Sequence, residues 1–540
     1  MPKGSSTPWS YFLIRVLFKF VLKIFYGTIV VEGTENIPPR GVPCIVCSNH
    51  SNSLTDALVL VATIPFKRRN LLRLTAKSTQ FGKKTFTSWL IESAGTLPIQ
   101  RRKDFADGQI DNNIVMQHLL NALDYGDAVC LFPEGASRFH PTIAPLKTGV
   151  ARMASSALSR NRNSPDFEIC ILTCSITYMH RQHFRSDVLV TYHPPIRLTP
   201  SNNPELLEPV DYSEIRSLTA RMHQQIGSGT LDAPSWRLHR VAKLAARIYA
   251  PLGTEMSLGD YVRVVRTFLE AFKLAELHRN GELLSGSDNE PDSSNDDSVV
   301  TRVLKLEEDL KVYQDELATW GLKDDRIRKP LKRRVILYRI LVRLTWSVIL
   351  LSISLPGVLL WTPIAIATFI AVREFKRSGP IWDTWDEIAQ YKLVYGLISG
   401  IFVWTTSVLL TFPVAFITVW AVPVVMWLSL RWFEDAVSAF RAFVSLARLL
   451  RMGRKHLGEL RTTRDDLHRR VMDFAVNTLG LPGTPEQHFT EGSAGQQDKG
   501  RIRGPWASKA KYFSLRRRRK RDWNETLRLY DQVDDYPEDF

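Results

Sequence analysis

Cysteine is scarce in this chain: Cys44, Cys47, Cys130, Cys170 and Cys174 are the only five in 540 residues, an odd number confined to the first third. That usage excludes a disulfide scaffold and fits buried thiols in a reducing compartment. It also argues against zinc. The Cys44/Cys47 and Cys170/Cys174 spacings fall in strand-like runs, whose side chains alternate and do not converge on one ion, so no metal is expected. The first thirty residues lack the apolar region and small-residue cleavage site of a secretory signal. Charge is missing from two long stretches: Leu344 to Val372 carries none over 29 positions, and Leu393 to Leu430 none over 38. A spanning helix needs about 20 apolar residues, and a buried core helix seldom stays uncharged for so long. Both stretches are therefore expected to be membrane-embedded. Pro356 and Pro363 interrupt the first, a single span or a re-entrant pair; Pro413 and Pro423 interrupt the second, a tilted span or a hairpin.

What is present is mostly positive charge. The formal net charge is +16 and the pI about 9.6. Beside membrane segments such an excess points to an anionic lipid surface rather than nucleic acid. Residues 1–30 contain YFLIRVLFKFVLKIFYGTIV, in which Arg15, Lys19 and Lys23 share one helical face, and read as an interfacial amphipathic helix with basic side chains reaching lipid headgroups. Residues 31–204 alternate apolar runs with helical patterns. Strands are expected at Cys44 to Cys47, Ala128 to Phe132, Ile169 to Thr173 and Val188 to Tyr192. Helices are expected at Asp56 to Thr63, Thr85 to Ser93, Asn112 to Tyr125 and Leu146 to Leu158. This order gives an α/β domain with a mixed or mostly parallel sheet, followed by a helical region and C-terminal transmembrane helices. The remainder divides into a helical extension (205–284), an acidic disordered linker (285–297), a helical and basic segment (298–335), a first membrane segment (336–372), a loop (373–392), a second membrane segment or hairpin (393–430), amphipathic helices (431–480) and a disordered basic tail (481–540).

The chemistry concentrates at three strand ends. VPCIVCSNHSNSLTDALVL (Val42 to Leu60) sets Asn49, His50 and Asp56 beyond an apolar strand, at the carboxyl edge where open α/β sheets hold ligands. Histidine suits proton transfer near neutral pH, and a carboxylate behind its second nitrogen fixes the tautomer. By itself the pair is equally a capping network. GTLPIQRRKD (Gly95 to Asp104) supplies Arg101 and Arg102, guanidiniums able to form paired bonds to a phosphate. LFPEGASRF (Leu131 to Phe139) supplies Glu134 and Gly135, a carboxylate and a tight turn, with Arg138 and then Lys147 downstream. Each has a bland reading, an exposed basic turn or a strand–turn–helix cap, but the three occur in order, spaced by about 45 and 35 residues.

These blocks resemble the glycerolipid acyltransferases, the phospholipid/glycerol acyltransferase family. His50 and Asp56 match its histidine–aspartate block, Gly95 and Arg101 its Gly…Arg block, and Phe132 to Gly135 its Phe-Pro-Glu-Gly block. Ile171 to Ile176, Tyr178 and Pro194–Pro195 look like its late apolar block. Five residues, SNSLT, separate His50 from Asp56, one more than in the common form. That longer form is similar to the branch containing fungal glycerol-3-phosphate/dihydroxyacetone-phosphate acyltransferases, as are SLPGVLLWTP (Ser354 to Pro363) and DTWDEIAQYK (Asp383 to Lys392). Arg138 stands where this branch often shows His, and His193 where it shows Gly.

The resemblance implies an acyl-CoA-dependent O-acyltransferase acting on the sn-1 hydroxyl of glycerol-3-phosphate or dihydroxyacetone phosphate. His50 and Asp56 are its catalytic pair; Arg101, Arg102, Glu134 and Gly135 bind the acceptor; Asn49, Arg138 and Lys147 are further candidates. Acyl-CoA is a co-substrate and no cofactor is bound. The resemblance implies a multi-pass endoplasmic-reticulum membrane protein, with lipid droplets as a further station and the site facing the cytosol. The alternatives are a lysophosphatidate or other lysophospholipid acceptor and, remotely, an inactive membrane scaffold.

Overall fold

A computed structural model describes residues 4–78, 81–84, 86–99, 112–164, 166–250, 256–279, 293–328, 332–378, 385–485 and 487–489. It divides into two compact units. Among the described residues the first comprises 4–230 with 385–393, and the second comprises 231–378 and 394–489.

In the first unit, helix α1 (Trp9–Phe25) precedes strand β1 (Thr28–Glu32), and the α/β pattern follows. It runs through β2 (Cys44–Ser48), α2 (Leu54–Thr63), β3 (Leu72–Arg73), β4 (Thr75–Lys77), α3 (Phe86–Ser93), β5 (Leu97–Ile99), α4 (Asn112–Asp124), β6 (Ala128–Leu131), α5 (Gly149–Arg160), β7 (Ile169–Tyr178), β8 (Asp187–Tyr192), β9 (Ile196–Leu198) and α6 (Tyr212–Ser228). Seven strands form one sheet in the order β1-β8-β7-β2-β6-β3, with β9 against β7; β4 and β5 pair separately. The sheet is mostly parallel. β2 runs parallel to both β6 and β7, β3 to β6 and β1 to β8, whereas β7 is antiparallel to β8 and β9.

β2 is central and entirely buried, which is why CIVCS carries no outward polar alternation. On one face Ile45 and Cys47 join Val129, Leu131 and Ile171 under the apolar stripes of α4, α5 and α6, including Leu123, Ala154, Leu158 and Met222. The five cysteines are buried free thiols of β2, β6 and β7. Burial raises the thiol pKa of each.

Register decides what meets at the sheet's carboxyl edge. Cys47 pairs with Leu131 of β6 and Thr173 of β7. His50 and Glu134 each lie three residues past that line, so they emerge at the same level. β7 continues to Tyr178, far enough to overhang the loop after β2. The opposite edge is pinned by Arg69, whose buried guanidinium donates to the carbonyls of Pro38, Val42 and Gly126, just before β2 and β6 begin.

Helix α1 differs from the expected interfacial helix in which face looks outward. Arg15 is 7% exposed, donates to the Ile64 carbonyl and lies over the Phe66 ring. Trp9, Phe12, Leu13, Val16 and Phe20 are the exposed residues instead. A guanidinium with a carbonyl and an aromatic face to bind can be desolvated, so the basic stripe at Arg15 turns inward.

The second unit is helical: α7 (Trp236–Tyr249), α8 (Leu258–Arg279), α9 (Ser293–Trp320), α10 (Asp324–Arg328), α11 (Arg333–Arg377), α12 (Glu387–Leu410, whose first turns belong to the first unit), α13 (Ala415–Met452) and α14 (Arg454–Asp473). α11, α12 and α13 are long and apolar enough to cross a membrane. α11 continues through Pro356 and Pro363, and the second uncharged stretch contains two helices separated at Thr411 to Val414. Small residues let α11 and α13 approach closely: Gly357 lies against Ser429, where any β-carbon would collide, and the Trp361 indole donates to the Met426 carbonyl.

The linker expected to be disordered over 285–297 is corrected at its end. Residues 293–297 form the first turn and more of α9. Residues 285–292, Arg101, Arg102 and the tail from 490 lie outside the described residues.

Replacing Arg69 with Met leaves three carbonyls, two of them buried, without their donor. This is expected to cost about 3 kcal/mol or more, read as a fall of several degrees in the thermal unfolding midpoint; an unchanged midpoint would refute the pinning.

Candidate active site

β2 ends at Ser48, and the next five residues turn before α2 begins at Leu54. Asn49 is used structurally. Its amide pairs twice with the backbone of Ile176 on β7, at 2.8 and 2.9 Å, closing the sheet beside the turn. His50 therefore stands in a loop ahead of the helix, and Asp56 sits in the first turn of α2. The loop absorbs the extra residue between them: His50 Nδ1 lies 2.9 Å from Asp56 Oδ2.

Asp56 is 0% exposed, and three donors hold it. Besides Nδ1, the Asn52 N–H donates to Oδ2 at 2.8 Å and the Tyr178 hydroxyl to Oδ1 at 2.6 Å. An acceptor-only carboxylate at Nδ1 fixes the imidazole with its proton there, leaving Nε2 as the nitrogen able to take a proton. Burial pushes the Tyr178 and Tyr26 hydroxyls well above the ordinary phenol range, with the Asp56 charge adding to it, so both stay protonated donors. Tyr26 in turn accepts from the Asn52 amide at 3.2 Å.

The register argument brings Glu134 to the other side of the histidine. Its Oε1 accepts the His50 backbone N–H at 2.6 Å and its Oε2 the Ala144 N–H at 3.2 Å. Phe132 lies under the imidazole, the rings stacked at 4.1 Å. Burial raises the Glu134 pKa above the usual carboxylate value, opposed by those two backbone bonds. Gly135 turns with φ +78°, and the Lys147 side chain lies where its β-carbon would be. Arg138 is exposed; only its backbone reaches the site, the N–H donating to the His50 carbonyl at 3.4 Å. Thus His50, Asp56, Glu134, Gly135 and Lys147 are brought together, while Asn49 ties the loop to β7 and the Arg138 side chain is exposed.

The sequence reading missed a second layer. Ser53 adopts φ +48° and ψ −133°, strained for a non-glycine residue, at a cost of about 1–3 kcal/mol. Its N–H donates to Ser137 Oγ at 2.9 Å and its hydroxyl to Gln390 Oε1 at 3.0 Å. Ser137 also shares a side-chain hydrogen bond with Asp386, a 3% exposed carboxyl whose pKa burial lifts to about 6. In the sequence the Asp383-to-Lys392 segment is marked only by its resemblance to the fungal branch. Among the described residues no three His, Cys, Asp or Glu side chains gather as a metal-ligand set.

Comparison with known proteins agrees with the geometry. Residues 28–177 match the family model described as Acyltransferase, and residues 294–379 match the Glycerol-3-phosphate acyltransferase 2 C-terminal domain. The chain is 24% identical over 510 residues to the Saccharomyces cerevisiae Glycerol-3-phosphate O-acyltransferase 2, covering 74% of this chain and 65% of that protein. It is 26% identical over 358 residues to the Uncharacterized acyltransferase C1718.04 of Schizosaccharomyces pombe, covering 62% and 49%. For the yeast Glycerol-3-phosphate O-acyltransferase 1 the identity is 23% over 301 residues, covering 54% and 36%. The chain thus spans between about a third and two thirds of these relatives' own lengths. Among solved structures it is similar to the 1-acyl-sn-glycerophosphate (LPA) acyltransferase PlsC of Thermotoga maritima, with 19% identity, a TM-score of 0.28 and coverage of 40% of this chain and 78% of that one.

The raised Glu134 pKa has a sign. Its protonated form favours the fold, so this contribution is present below the unfolded value near 4.5 and is lost as pH rises through the folded value. Glu134→Gln keeps an acceptor for the His50 N–H and removes the titration. Its unfolding midpoint is expected to fall less than the wild type's as pH rises from 4.5 to 7, and parallel curves would disprove the assignment.

Proposed function

We propose that this chain, which carries an acyltransferase-family domain followed by a segment of the glycerol-3-phosphate acyltransferase 2 C-terminal type, transfers an acyl group from acyl-CoA to the sn-1 hydroxyl of glycerol-3-phosphate or dihydroxyacetone phosphate. The observation that carries this reading is the His50–Asp56 contact of 2.9 Å, with Nδ1 committed to a buried carboxylate.

In this mechanism Nε2 of His50 accepts the proton of the sn-1 hydroxyl as its oxygen attacks the thioester carbonyl carbon. The carbonyl π pair moves onto oxygen, then returns as the carbon–sulfur bond breaks. Coenzyme A leaves with the sulfur electron pair and takes the proton back from the imidazolium. Asp56 keeps the ring aligned and stabilises the positive imidazolium between the two steps. No acyl-enzyme is required, because the acceptor hydroxyl is itself the nucleophile.

Glu134 orders the His50 backbone and, with Gly135, shapes the acceptor side. Arg101 with Arg102 is assigned the acceptor phosphate from the motif, by charge-assisted paired bonds. Lys147 adds a further cation beside the Gly135 turn. The yeast relatives' names support glycerol-3-phosphate as the acceptor. The three apolar helices support residence in a membrane. We assign the endoplasmic reticulum, with the site on the cytosolic face where acyl-CoA is available.

His50→Ala is expected to lower acyl-CoA-dependent thiol release by at least about 100-fold while the protein stays in the membrane fraction. Turnover near wild type would end the reading. Arg101→Ala is expected to raise KM for a phosphorylated acceptor about tenfold or more, with little change in KM for acyl-CoA. A panel of glycerol-3-phosphate, dihydroxyacetone phosphate and lysophosphatidate names the acceptor, and a preference for the lysolipid would replace this assignment.

A further inference from the structure

The turn that begins α12 belongs to the first compact unit, and its side chains end on the catalytic loop. Trp385 stands beside Phe139 with ring centroids 6.4 Å apart, and the Lys392 ammonium donates to the Gln182 carbonyl at 2.6 Å. Between these anchors lie Asp386 and Gln390, four residues apart and so on one side of the helical turn. Gln390 Oε1 accepts from the Ser53 hydroxyl, and Asp386 bonds the Ser137 side chain. Ser137 Oγ is already an acceptor for the Ser53 N–H. Its one proton is then available for the Asp386 carboxylate, which sets a continuous chain from Asp386 through Ser137 to the Ser53 backbone.

Ser53 is the residue for which this matters. Its positive φ would relax to a commoner conformation if released, and it separates Asn52, a donor to Asp56, from the helix that carries Asp56. Two hydrogen bonds from one turn, one direct and one through Ser137, hold it. We infer that the turn Trp385–Gln390 is a positioning element of the active site, in which Asp386, acting through Ser137, and Gln390 hold the Ser53 backbone in the conformation that aligns His50 with Asp56. This rests on the acyl-transfer reading of that pair. Neither residue touches the reacting atoms in this role. Their effect is on alignment, and a misplacement of about 1 Å in such a pair can cost on the order of 100-fold in rate.

The test uses the full-length protein in detergent or reconstituted vesicles, following thiol release from acyl-CoA under steady-state conditions. Asp386→Ala and Ser137→Ala are each expected to lower kcat by about ten- to a hundredfold, with both KM values within about twofold. Because they break one chain, the double variant is expected to be no slower than the worse single variant. Asp386→Asn retains an oxygen that accepts the Ser137 proton and is expected to recover most of the rate. Wild-type kcat in both single variants, additive losses in the double variant, or an Asn variant as slow as the Ala variant would each overturn the inference. If Asp386→Ala does not accumulate, Ser137→Ala and Asp386→Asn carry the same comparison. His50→Ala run alongside separates the two ideas. An active His50→Ala removes the acyl-transfer reading itself, whereas an inactive one beside normal Asp386→Ala and Ser137→Ala removes only the positioning role.

Discussion

A carboxylate removed from water must be compensated on every side, and Asp56 imposes that condition on everything around it. An isolated buried charge costs several kcal/mol, whereas hydrogen bonds to a charged group return about 1.5–3 kcal/mol each. Three donors meet the requirement: the imidazole of His50 and the backbone of Asn52 from the loop after β2, and the hydroxyl of Tyr178 from the end of β7. The length of β7, the tightness of the loop after β2 and the position of Asp56 in the first turn of α2 all serve the same pair of oxygens. The histidine is oriented as a consequence of satisfying the aspartate.

The sheet makes this arrangement inexpensive. Parallel pairing of β2 with β6 and β7 lets three chain segments leave the core at one level. Glu134 and Tyr178 then reach His50 and Asp56 without long excursions of loop. Burial is complete beneath them, from the thiols of Cys47 and Cys130 to Val129 and Ile171. A packed floor of that kind keeps the polar layer above it from relaxing downward.

Much of this was legible in the chain. The apolar runs at Cys44, Ala128, Ile169 and Val188 read as strands because both sheet faces are covered, and the His–Asp, Phe-Pro-Glu-Gly and uncharged stretches stand out in the sequence. The apolar pattern ends this strand at Thr173, whereas β7 continues to Tyr178. Ser175 and Thr177 look like the polar end of a strand, yet their hydroxyls are spent on the carbonyls of Ile226 and Gly229 after the chain returns. No local pattern announces such a partner. The same holds for Arg15, whose inward turn depends on the Ile64 carbonyl and Phe66. It holds most for Asp386, since nothing near it in sequence carries the loop that it supports.

The contact between Ser53 and Gln390 joins residues 337 positions apart. On a ribosome adding roughly 5–20 residues per second, the interval between their synthesis is on the order of tens of seconds. Every strand of the sheet is made well before the turn that meets Ser53, and that turn follows only after α11, a helix of 45 residues, has been synthesised. The nascent chain thus holds a finished sheet and an unfinished catalytic loop at the same time. Completion of the loop waits on synthesis of the turn that opens the second long apolar helix, so the centre matures only after the first such helix has been made.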